Sequence, residues 1–248
     1  MYIEFKPGEK HAAKGADTAE TPDSFRDAGW LLGPDEVVID IDELSKEQIS
    51  EYIKRFDIRT QIVWTDRGAH FYFRKSPGYS RAKNGICALG FPIESKTSSN
   101  APNGVTIKRN GVLREIENEG NREIIPWYFS SNKQYTSMMG FGEGDGRKNA
   151  LFSHKQKLDN NPDTEKICQF INEVLFDKPM DEVEFNLIVR NYTAGNGAES
   201  EYDHATNIMN EYRCVNYQGS IWWWNGKEYI TDADDNHRLI SELREDRD

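Results

Sequence analysis

No C-x-x-C pair occurs in this chain. Its three cysteines, Cys87, Cys168 and Cys214, are far apart and odd in number. That argues against a zinc-built or disulfide-built fold. No apolar run approaches the roughly 20 residues that a bilayer span requires, so no membrane is expected. The first residues, Met1-Tyr2-Ile3-Glu4-Phe5-Lys6, lack the basic-then-apolar build of a secretion signal. A reducing cytoplasm is the expected compartment. An excess of positive charge is also missing. The net charge of −11 speaks against indiscriminate coating of nucleic acid.

What is present is unevenly spread. Between Thr65 and Arg114 lie nine basic residues and only two acids, Asp66 and Glu94, a local charge of +7. A basic window inside an acidic chain suits phosphate binding at one place. The 248 residues leave room for one large domain or two modest ones.

The stretch Val37-Val38-Ile39-Asp40-Ile41-Asp42 predicts a strand of β-branched residues ending in two acids at i and i+2. Positions two apart share a strand face, so Asp40 and Asp42 project together. Two carboxylates on one face raise each other's proton affinity unless a cation lies between them. A hard divalent ion, Mg2+ or Mn2+, is the natural partner for oxygen ligands. An ordinary half-buried strand with its acids in water would carry the same pattern.

Along the chain, 24–32 suggests a short helix stopped by Gly33-Pro34. Ser45 followed by Gln48 forms a capping box ahead of an amphipathic helix over roughly 45–57. Strands are expected at 60–65 and 69–73 around the turn Asp66-Arg67-Gly68, then at 90–94 and 104–108 around a polar loop 95–103. Residues 86–89 read as a short helix or an edge, and 112–116 as a further strand. After Pro126-Trp127-Tyr128-Phe129 the pattern turns helical over 147–158, 163–175 and 180–191, and a further helix is expected over 203–212. The run 220–230, with three tryptophans and an Asn225-Gly226 turn, predicts a β-hairpin. The expected class is α+β with a mostly antiparallel sheet, then a small helical bundle and a C-terminal helix–hairpin segment.

Three of these stretches, Asp40-x-Asp42, Gly68-x-His70 and Ile93-Glu94, occur in an order that resembles the catalytic core of the archaeo-eukaryotic primase superfamily. The likeness is to its phage and plasmid primase–polymerase branch and covers about residues 25–130. Two positions depart from the common pattern: Glu94 stands where aspartate is usual, and glycine precedes the x-His where serine is frequent. Gly140 to Asn149 mimics a phosphate loop, but Asn149 replaces the metal-binding hydroxyl. It resembles instead the opening of the small helical domain that follows such cores.

The resemblance implies an RRM-like primase–polymerase core over 1–133, a small helical primase C-terminal domain over 134–196 and the start of a helicase-linking module over 197–248. It implies a DNA primase or DNA-directed polymerase of phage or plasmid replication that acts on single-stranded DNA and nucleoside triphosphates. A helicase, in this chain or a separate one, would be its partner. Asp40, Asp42 and Glu94 would hold the metals. His70 would contact the incoming phosphates, with Lys96, Lys108 and Arg74 as further nucleotide contacts. Arg147, Lys148 and His154 are candidate nucleic-acid phosphate ligands beside the core. Alone, His70 would better suit a core histidine bonded to a backbone carbonyl. Two rival readings use the same residues. One is a metal-dependent nuclease. The other is a non-catalytic RRM-like module with Phe71 and Phe73 stacking on bases.

Overall fold

Alternation along Glu36–Ile41 decides how the layers stack. Val37, Ile39 and Ile41 are fully buried in one apolar cluster, whereas Val38 belongs to a second cluster on the opposite face. A strand with both faces covered lies between two layers. The computed structural model describes residues 1–77, 79, 84–129, 135–158 and 161–189, and the backbone of 215–217, 220–224 and 229–231.

In chain order the elements of the first compact unit are β1 (Tyr2–Glu4), β2 (Thr18–Ala19), β3 (Ala28–Trp30), β4 (Glu36–Ile41), α1 (Lys46–Phe56), β5 (Gln61–Trp64) and β6 (Ala69–Arg74). There follow β7 (Asn84–Ile86), β8 (Pro92–Thr97), β9 (Val105–Arg109), β10 (Val112–Leu113) and β11 (Ile116–Glu117). The helices α2 (Arg147–Lys157), α3 (Thr164–Phe170) with a π-helical extension Ile171–Leu175, and α4 (Glu182–Val189) complete the unit. One antiparallel sheet has the order β11-β5-β6-β4-β8-β7 and another the order β10-β9-β3-β1-β2. Val38, Val63 and Tyr72 of the first sheet pack with Ala28, Val105 and Ile107 of the second. The two sheets therefore form a sandwich, and the α+β class with antiparallel sheets is observed.

The helices cover the other face of the six-stranded sheet. Ile39, Phe71 and Phe73 share one apolar cluster with Tyr52 of α1, Leu151 of α2, Phe170 of α3 and Ile188 of α4. Residues 1–190 form one compact unit, and the expected boundary at 133 falls inside it. Helices that cannot bury an apolar face alone gain it by docking on the sheet.

Several local expectations change. Residues 28–30 are a strand rather than part of a helix, paired on both sides by β1 and β9. β8 continues through Ser95–Thr97, which the polar composition marks as loop. Residues 84–86 are the edge strand of the larger sheet, and 112–117 splits into β10 and β11, which belong to different sheets.

In the second unit, residues 191–248, strands β12 (Val215–Tyr217), β13 (Ser220–Trp224) and β14 (Tyr229–Thr231) form an antiparallel sheet. The hairpin is present, with Trp224 opposite Tyr229. Four residues thus separate its strands, rather than Asn225-Gly226 alone. The helix expected over 203–212 lies outside the described residues.

Candidate active site

β4 runs between β6 and β8 in a register that puts Asp40 opposite His70 on one side and opposite Glu94 on the other. Directly opposed residues in a sheet share a face, so His70, Asp40 and Glu94 form a row across three adjacent strands. The spacing in that row is the strand separation of about 4.8 Å. Asp42 follows immediately beyond the end of β4. Asp40 and His70 are buried, at 7% and 6% exposure, whereas the Asp42 and Glu94 side chains are about two-fifths exposed.

The row opens into a cleft of about 220 Å³ at the end of the sandwich, lined also by Lys10, Arg67, Lys96, Asn100, Thr106 and Arg114. Lys96, two positions beyond Glu94 on β8, forms an ion pair with Asp40 and lies 3.7 Å from Glu94 Oε2. Arg67 in the β5–β6 turn donates to Asp42 Oδ2 at 2.8 Å. Half-buried Arg114 donates to the Thr106 carbonyl at 3.0 Å. Burial lowers the proton affinity of its guanidinium, opposed by the nearby Tyr72, Asp66 and Asp40, yet an arginine remains cationic at neutral pH.

Burial would by itself raise the Asp40 carboxyl. The His70 ring and the Lys96 ammonium outweigh it and hold the group well below the usual carboxylate range. Burial pushes His70 the other way, below its ordinary value, against the pull of Asp40. His70 Nε2 is 3.4 Å from Asp40 Oδ1, but neither that oxygen nor His70 Nδ1 has a hydrogen-bond partner among the described residues.

A divalent cation fits this donor set in chemistry: three carboxylates around a cleft, one of them with an unsatisfied buried oxygen. Among the described residues no three His, Cys, Asp or Glu side chains already converge on one point. The buried Asp40 is fixed, whereas the partly exposed Asp42 and Glu94 have room to turn toward it.

The remaining expected ligands are elsewhere. Arg74 sits at the far end of β6 and donates to the Arg122 carbonyl. Lys108 is held by the Pro22 carbonyl at 3.2 Å and lies 3.9 Å from Asp23. His154 is fully buried, with Nε2 2.7 Å from the Ala88 carbonyl, where no phosphate reaches it. Arg147 is buried against the Lys178 carbonyl and Glu184, and Lys148 pairs with the same Glu184 at 2.7 Å. None of the three lines the acid cleft: His154 is packed in the core, Arg147 is buried on α2, and Lys148 is exposed at the surface of α2. Phe71 and Phe73 are fully buried against the helices, so they offer no platform for bases. Sequence reasoning misses Arg67 and Arg114 as individual site residues. Both lie inside the +7 window, but only the turn and the β9–β10 hairpin bring them to the acids.

Gly68 is required by a close approach of two backbones. A Cβ there would be 1.7 Å from the Ile41 carbonyl oxygen, so nothing larger than glycine fits. Compared with protein families, curated proteins and solved structures, the chain matches none.

Proposed function

We propose that this protein is a metal-dependent, template-directed nucleotidyltransferase, a DNA primase or primase–polymerase built on an RRM-like core and serving phage or plasmid replication. The observation that carries this reading is the row His70–Asp40–Glu94, drawn from three separate motifs and facing a cleft walled by Lys96, Arg67 and Arg114. Clustered acids beside clustered cations suit a substrate that is a metal-complexed polyphosphate.

Asp40, Asp42 and Glu94 would hold Mg2+ or Mn2+, which when bound lowers the pKa of an attacking hydroxyl and neutralises a leaving pyrophosphate. The protein's own groups divide the remaining tasks. Buried Asp40 supplies a permanently ionised anchor. His70 holds its Nε2 beside the Asp40 carboxylate and backs it from the neighbouring strand. Lys96, Arg67 and Arg114 compensate the triphosphate's charge. Single-stranded DNA and nucleoside triphosphates are the proposed substrates, with a helicase as functional partner and the cytoplasm as the compartment. Among the described residues no helix is long and apolar enough to cross a membrane.

The decisive assay incubates the protein with single-stranded DNA, labelled nucleotides and Mg2+ or Mn2+, and looks for products whose length follows the template. Asp40→Asn and Asp42→Asn are expected to lose incorporation by more than the about 10–100-fold typical of residues that only orient a ligand. Wild-type incorporation by Asp42→Asn refutes the assignment. Shortened DNA without added nucleotides identifies a nuclease instead.

A further inference from the structure

A second groove adjoins the acid cleft, and Thr65, Asp66, Arg67 and Arg114 line both. At about 630 Å³ it is the roomier of the two. Its walls are the start of α1, the β5–β6 turn and the β9–β10 hairpin. Lys46, Arg67, Arg109 and Arg114 line it against only Asp66 and Glu115. In a chain of net charge −11 that local sign is not the surface average.

Two of its cations are committed to backbone carbonyls and to no acid among the described residues. Arg114 donates to Thr106 at 3.0 Å, and Arg109 to Gly8 at 3.4 Å. Arg109 Nε is buried and has no hydrogen-bond partner among the described residues. At the tip of the hairpin, Val112 and Leu113 line the same groove at 68% and 44% exposure. Val112 stands opposite Arg109 in the hairpin and so shares its face; an apolar side chain left in water beside guanidiniums that meet no acid matches a ligand with alternating phosphates and apolar base faces. A duplex presents the phosphates but keeps its base faces stacked inside. An unpaired strand presents both.

We infer that this groove carries a single strand of nucleic acid, with phosphates at Arg109 and Arg114 and a base face on Val112, and leads it past Arg67 toward the acids. The inference rests on the nucleotidyl-transfer reading only for what happens where the strand arrives.

Binding of the full chain to a labelled single-stranded oligonucleotide, followed by fluorescence anisotropy without nucleotides over a salt series, tests it. The double change Val112→Asp with Leu113→Asp is expected to weaken binding by about tenfold, and Arg109→Ala to reduce the salt slope by about 1. Val183→Asp with Leu187→Asp makes the same charge change on α4, at positions more exposed than the hairpin pair, and is expected to bind like wild type. Circular dichroism confirms that each variant is folded; the hairpin pair is solvent-exposed, so its replacement leaves the core intact. Wild-type strand binding by both groove variants overturns the inference, as does an equal preference for duplex. If the wild type also incorporates nucleotides in that case, the nucleotidyl-transfer reading survives alone. If the groove variants lose binding while the wild type incorporates nothing, the groove stands and the enzymatic reading falls.

Discussion

The contact between Gly68 and the Ile41 carbonyl sets how closely the start of β6 approaches the end of β4, one residue before Asp42. Gly68→Ala forces a methyl into backbone that no side-chain rotation can relieve, so it should destabilise by about 1–3 kcal/mol. Because the displaced residues border the acids, incorporation should fall further than the shift in unfolding midpoint explains. Thermal unfolding measured beside the primer assay checks both. His154 makes a prediction of a different kind. Burial lowers its proton affinity below the ordinary 6.5, although the Ala88 carbonyl favours the charged ring. The unfolded chain therefore binds a proton that the folded one resists. Stability is highest above pH 6.5 and falls as the pH drops below it, by up to about 1.4 kcal/mol per pH unit for this site. His154→Gln should flatten that slope in denaturant titrations at several pH values. His70 shifts in the same direction and would leave a residual slope.

Among the elements, α1 shows how much a short motif determines. Ser45 Oγ accepts from the Gln48 amide at 3.2 Å, and Gln48 Oε1 accepts from the Ser45 amide at 2.9 Å. Ser45→Ala should cost about 1 kcal/mol. Gln48→Ala should cost at least as much, because Gln48 Nε2 also donates to the Val174 carbonyl at 2.7 Å. Chemical denaturation of the two variants gives the ranking. This helix, the acid strand and the β5–β6 hairpin are legible in the sequence because capping and alternation are local signals. β3 is not. Gly29 packs under the ring of Phe5, where a Cβ would be 2.2 Å from Cζ, and neighbours distant in sequence supply its pairing. The continuation of β8 through Ser95-Lys96-Thr97 is hidden for a similar reason, since Lys96 faces the cleft and Ser95 bonds to Tyr79. In the site, order and alternation identify the acids and His70. They cannot tell Lys108 from Arg114, both near one hairpin, because only tertiary packing decides which one faces the cleft.

For the molecule as a whole, one apolar core joins sheet and helices. A chain cut after 133 would leave Phe71, Phe73 and Phe91 without Leu151, Phe170 and Ile171 against them. Residues 1–133 are expected to aggregate or to lack cooperative unfolding, and residues 1–190 to unfold in one transition. Calorimetry on the two fragments separates these outcomes. The central position of β4 also has a meaning in time. Its partners are made at different moments: β6 some thirty residues later, β8 more than fifty later, and the helices that close the core only near residue 189. Pairings so distant along the chain form slowly, since each closes a long loop before any contact rewards it. Glu94 is made 54 residues after Asp40, so the row of acids cannot assemble before then, and the core behind it closes only once α4 has been translated.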